Sequence, residues 1–302
     1  MRTRIYIDGY NFYYGRLRRT HFKWLDLLRL FEQEILPSIS RMAGGAPPTF
    51  HLRRDPTIKY FTAPILARAA SADDSLAYQE AYLRALVLEQ PGRVQVIKGY
   101  YSLLAVRARQ VDPARPKALL RDLAEVDIFK LEEKQTDVNL ALQLYHDAIS
   151  GQVDHAVVVT NDTDIAPALA MVKANTPVTL GIVTPTQEER RANGDLLEFA
   201  DWHRKRITDA ELARSQFPRV VPHPKRPAVK PTSWYRYPDI VGEVLRLGVA
   251  QRGSPARLFQ WLEMPNRHYG DQTPLQRLEG DSRADAEAVL QFMRDWAQRA
   301  DA

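Results

Sequence analysis

The stretch Asp154–Asp164, DHAVVVTNDTD, decides how the rest of the chain is read. Its unbroken apolar centre, with β-branched residues in succession, is the pattern of a strand buried on both faces inside a parallel sheet. Asn161–Asp164 then links it to a helix expected over Ile165–Lys173. Working outward, Arg4–Asp8 (RIYID) reads as a second buried strand that stops at Asp8 before the turn signal Gly9. Strands are expected over Ile58–Pro64, Val94–Gly99 and Val178–Val183, and helices over Ser75–Leu88 and Asp137–Ile149, the latter with Thr136 as N-cap. Val138, Leu142, Tyr145 and Ile149 fall on one apolar face of that helix. Strand and helix alternate, which implies an α/β fold around a central parallel sheet.

Less regular segments complete the domain. Trp24–Leu36 has helical spacing and is expected to stop at Pro37, before a loop with Gly44, Gly45, Pro47 and Pro48. Ser102–Lys134, interrupted around Pro113 and Pro116, reads as a loop or an edge hairpin, and Asp195–Trp202 as a last helix. The proline-rich basic run between Phe217 and Ser233 reads as a semi-rigid linker. Three parts follow: a domain over 1–213, a linker over 214–234 and a small all-α module over 235–302.

Composition limits the chemistry. The 302 residues are 45% hydrophobic, enough for a full core, and contain no cysteine, which excludes thiol nucleophiles, disulfides and cysteine-held metals. A net charge of +5 permits a polyanionic partner without requiring one. No apolar run is long enough for a signal peptide or a membrane span, so the expectation is a cytoplasmic protein.

Ligands of parallel sheets bind beyond the carboxyl ends of the strands. Asp8 and Asp162 follow two such strands, and Asp137 opens a helix starting at the same edge, so Asp8, Asp137, Asp162 and Asp164 are expected on one rim. Carboxylates so gathered repel, and a hard cation, Mg²⁺ or Mn²⁺, would relieve them and activate a water for phosphodiester hydrolysis. Each aspartate could instead merely cap a helix or end a strand. The sequence NDTDIAPALAM lacks the glycine and closing glutamate of an EF-hand.

Three segments, IDGYNFYYG at 7–15, EEKQTDVNLALQLYHDA at 132–148 and VVVTNDTDIAPAL at 157–169, together resemble the NYN family of PIN-like nucleases. The resemblance covers residues 1–210 and implies a PIN-like three-layer α/β/α sandwich, metal-dependent RNA cleavage and a metal site of Asp8, Asp137, Asp162 and Asp164 with Asn11 beside it. Thr160-Asn161 stands where that family commonly has serine-glycine. More faintly, ARLFQWLEMPN at 256–266 and DQTPLQRLEGD at 271–281 resemble the toxin-binding domain of Xre/ParS-type antitoxins. That likeness implies a partner or self-association through residues 235–302, and a toxin–antitoxin or defence setting.

The expectation is thus an endoribonuclease acting on single-stranded RNA. Tyr10, with Phe12, Tyr13 and Tyr14, offers stacking faces, and Arg16, Arg18, Arg19 and Lys134 offer phosphate contacts. Thr160 is a further substrate contact, and His146, His155 and His203 are structural. Two rivals are a catalytically silent RNA-binding adaptor and a phosphatase. RNA against DNA, and one metal against two, stay open.

Overall fold

In a computed structural model, residues 1–42, 49–186 and 193–300 are described. The loop of Gly44, Gly45, Pro47 and Pro48 lies outside them. Among the described residues, seven strands form one sheet: β1 Arg2–Asp8, β2 His51–Leu52, β3 Ile58–Thr62, β4 Val94–Lys98, β7 His155–Val159, β8 Thr179–Val183 and β9 Trp202–Arg204. Its order is β4-β3-β1-β7-β8-β9, with β2 also on β1, and its ladders are parallel. The intervening pair, β5 Tyr100–Arg109 and β6 Glu125–Lys134, makes a separate antiparallel two-stranded sheet.

The central strands are buried on both faces. Tyr6, Ala156, Val158, Leu180 and Ile182 pack against helices α2 (Thr136–Ile149) and α3 (Ala166–Asn175), while Ile5, Ile7, Val157, Val159 and Val183 are buried on the other side. A further helix, α1 (Ser75–Leu88), precedes β4.

Several local expectations are corrected. The helical run begins at Leu27, where Asp26 accepts the Arg29 amide, and continues through Pro37 as Leu36–Met42. It survives the proline because the preceding turn, Leu30–Ile35, is π-type, with Leu36 N–H donating to the Phe31 carbonyl, and that register absorbs the missing amide. Helix α2 is capped by Gln135 in the left-handed region, φ 74°, because the Thr136 hydroxyl donates to Glu133 at 2.6 Å instead. Its buried face is Leu140, Leu144 and Ala148; Val138, Leu142 and Ile149 point to solvent. Ser102–Lys134 resolves into the hairpin. Asp195–Trp202 is only a short turn, Gly194–Leu197, before β9, which the bare side of Gly181 admits: a Cβ there would run into the Trp202 indole.

The chain divides into two compact units. The first comprises Met1–Arg16, Asp26–Phe217 and Val221–Ala228, and the second Leu17–Leu25, Pro218–Val220 and Val229–Ala302. The second contains helices Pro238–Arg252, Pro255–Leu262, Pro274–Glu279 and Arg283–Ala300 around Val244, Leu258, Leu262, Val289 and Met293. Ser254 caps one helix, and Thr273 with Gln276 forms a capping box on another. Among the described residues no helix is long and apolar enough to cross a membrane.

Candidate active site

The site lies in the first unit, beyond the carboxyl ends of β1 and β7. Asp8 ends β1 almost fully buried, and each of its oxygens already has donors. Its Oδ1 accepts the Asn11 amide at 3.0 Å, and its Oδ2 accepts Asn11 Nδ2 and the Thr160 hydroxyl, both at 2.8 Å. Burial pushes the Asp8 carboxyl upward against those bonds, and the nearby Glu133 charge adds to the rise. Thr160 also accepts the Asp162 amide, and Asp162 accepts the Asp164 amide, so the β7–α3 turn is tied to the end of β1.

Asp137, in the first turn of α2, can be reached from solvent. The protein around it, and then the charges of Asp8, Asp162 and Asp164, push its pKa up to about 6. The structure therefore gathers all four aspartates. They do not form a coordination set: among the described residues no three acidic or histidine side chains are arranged to hold a metal ion.

Three members of this site escape sequence reasoning. Glu133 is half-buried and pushed upward by burial and by the Asp137 charge. Tyr101, its cross-strand partner on the hairpin, donates to it at 3.4 Å. Tyr60 is buried on β3, and burial and then the charges of Asp8 and Glu133 keep its phenol protonated. Gly9 makes room for it, since a Cβ there would lie 2.8 Å from the Tyr60 ring. The only signal for Tyr101 and Glu133 is hairpin register, which no local pattern reveals.

Around the acids stand exposed tyrosines. Tyr10 and Tyr14 have ring centroids 4.4 Å apart, and Tyr13 meets Tyr14 edge-on at 5.2 Å. Phe12 is core. Two of the expected basic contacts are engaged elsewhere: Arg16 is buried against the Ile207 carbonyl and Asp209, and Lys134 pairs with Glu132 at 2.8 Å. His155 bridges Thr3 and Trp202 at 3.0 Å each, and His203 meets Thr184 at 2.8 Å.

What emerges is a cluster of acids and tyrosines in which the pKa of one carboxyl is pushed up to about 6. No family model matches the chain. A curated relative, 6-hydroxy-3-succinoylpyridine 3-monooxygenase HspA of Pseudomonas putida (strain DSM 28022 / S16), is 49% identical over 298 residues, covering 98% of this chain and 95% of the relative. The chain belongs to the family of that monooxygenase. A solved structure of a protein of unknown function from Vibrio parahaemolyticus RIMD 2210633 is 15% identical with a TM-score of 0.33, covering 69% of this chain and 93% of that one. It is too distant to argue from.

The relative overturns several expectations. The nuclease assignment falls, because the likeness that spans the chain carries a monooxygenase name whereas the nuclease resemblance rested on three short motifs. With it fall the endoribonuclease and phosphodiester hydrolase activity, the silent RNA-binding adaptor and the toxin–antitoxin setting. The antitoxin-like module falls too, since the same relative extends through it. Mg²⁺ or Mn²⁺ as cofactor is corrected likewise. The aspartate pattern misled because acids at a strand-end rim suit many chemistries, and a fold does not specify one.

Proposed function

We propose that this chain is a monooxygenase that inserts one atom of dioxygen into a hydroxylated pyridine ring bearing an acidic side chain. The observation that carries this is the likeness to the 6-hydroxy-3-succinoylpyridine 3-monooxygenase along nearly the whole length of both chains. Carbon 3 already carries the acyl chain named for the relative, so the new bond from carbon 3 to oxygen replaces the bond to that chain. Dioxygen with four electrons and four protons, the electrons from a reduced carrier of the nicotinamide or flavin class, gives the ring hydroxyl from one oxygen atom, the chain released as an aldehyde, and water from the other oxygen atom. The chain has no Gly-x-Gly pair, so the glycine fingerprint of dinucleotide folds is not what would hold such a carrier.

The chain's own residues supply binding and proton control. Tyr10, Tyr14 and Tyr101 offer ring faces for an aromatic substrate. Asp137, its pKa pushed up to about 6, is suited to take the proton of the ring hydroxyl near neutral pH. On a 6-hydroxypyridine that hydroxyl is para to carbon 3, so losing its proton raises electron density where an electrophilic oxygen would attack. Asp8, held by Asn11 and Thr160, keeps Asp137's pKa high through its charge. Asp162 and Asp164 act the same way.

For architecture alone, the PIN-like three-layer α/β/α arrangement with a small all-α C-terminal domain is supported by a parallel sheet buried on both faces and by the helical second unit. The activity is tested with purified protein, 6-hydroxy-3-succinoylpyridine, a reduced nicotinamide with or without flavin, and ¹⁸O₂. One labelled oxygen per ring product supports the reading; no labelled product with either donor overturns it.

A further inference from the structure

The hairpin β5–β6 has an unusual surface. Alternation places Tyr101 and Glu133 on one face, and Leu103 with Leu131, then Ala105 with Phe129, continue that face outward. Phe129 is 65% exposed and Leu131 45%, on an isolated two-stranded sheet that gains little from leaving them in water. Over the Phe129 ring stands Arg68, from the exposed turn Ala67–Ala69, with its guanidinium carbon 5.0 Å from the centroid.

Arg68 makes no ion pair among the described residues, whereas the arginines at the hairpin tip are occupied. Arg107 faces Glu125 at 3.5 Å and Asp127 at 3.8 Å, and Arg109 faces Glu125 at 2.9 Å. A path therefore runs from the acid cluster, over apolar side chains, to a cation that has a ring contact with Phe129 and no ion pair among the described residues. Four residues of strand separate Glu133 from Phe129, ~13 Å, comparable to the reach of a pyridine ring extended by a four-carbon acid chain.

We propose that Arg68 and the site-side face of the hairpin bind the carboxylate-bearing chain of the substrate, so that the ring enters the acid cluster and the carboxylate stays outside it. This rests on the oxygenase reading above. The charges set the orientation: the clustered acids repel a carboxylate, Arg68 attracts it, and Leu103, Leu131 and Phe129 cover the methylenes between.

Titration calorimetry of wild type, Arg68→Ala and Arg68→Lys with 6-hydroxy-3-succinoylpyridine and with its primary amide tests this. Wild type should prefer the acid roughly tenfold, as a bond to a charged group provides. Arg68→Ala should bind acid and amide alike, with KM raised and kcat within twofold, and Arg68→Lys should restore part of the preference. Arg68 is exposed, so folding is not at stake. An acid preference intact in Arg68→Ala, or wild type that binds both compounds without preference, overturns the inference alone. Wild type that binds neither compound overturns the inference and the oxygenase reading together.

Discussion

Helix α2 carries two aspartates ten residues apart, ~15 Å along its axis, with opposite fates. Asp147, near its end, is buried, and Arg4, Lys59 and Tyr6 all reach its Oδ2 at 2.7 Å. Burial works to raise its pKa, and the bonds from Lys59, Tyr6 and Arg4 outweigh it and hold the carboxyl below the usual range. Asp137, in the first turn, has acids around it, and among the described residues no cation pairs with it or with Asp8, Glu133, Asp162 or Asp164. One end of the helix balances its charges and supports the fold. The other leaves like charges together and keeps a proton available near neutrality. Unbalanced charge marks the functional end.

The largest effect expected is at the balanced end. Asp147→Ala should cost about 3–5 kcal/mol in denaturant unfolding, because Arg4 is left buried without its anion. A loss under about 1 kcal/mol would mean that the cluster is not a structural hub.

At the other end, Asp137→Asn should lower kcat about 10²–10⁴-fold, the usual contribution of a general base. The same substitution should raise stability. Asp137's raised pKa means the folded state binds more protons than the unfolded, so its contribution falls as pH rises from the ordinary carboxylate range through about 6. Removing the charge should therefore stabilise the protein at pH 7, by no more than ~1 kcal/mol after solvent screening. A variant both less active and less stable would place Asp137 with Asp147.

The pH profile sharpens the contrast. Wild-type kcat/KM should rise with pH through about 6 as Asp137 loses its proton, and that limb should vanish in Asp137→Asn. Persistence of the limb would assign it to another group.

The two faces of α2 offer a further pair. Leu144→Ala should cost about 2–5 kcal/mol as a fully buried leucine, whereas Leu142→Ala, 63% exposed, should stay within about 0.5 kcal/mol. Equal costs would restore the face expected from spacing alone.

That pair of faces shows where legibility ended. Val138, Leu142 and Ile149 satisfy helical spacing as well as Leu140, Leu144 and Ala148 do, so period alone could not choose between two apolar stripes; the sheet did. The strand β9 was missed because three residues, Trp202–Arg204, carry no period, and its place depends on the bare side of Gly181.

By itself the sequence determined the alternation of buried strands and helices, and the edge of the sheet at which Asp8, Asp137, Asp162 and Asp164 meet. Those follow from local periodicity and from the handed rules of parallel sheets. Only the tertiary structure decided that Asp8 accepts from Asn11 and Thr160, that the pKa of Asp137 is pushed up to about 6, and that Tyr101, Glu133 and Tyr60 join them. Burial, hairpin register and mutual charge arise between segments distant in sequence, and no local pattern encodes them.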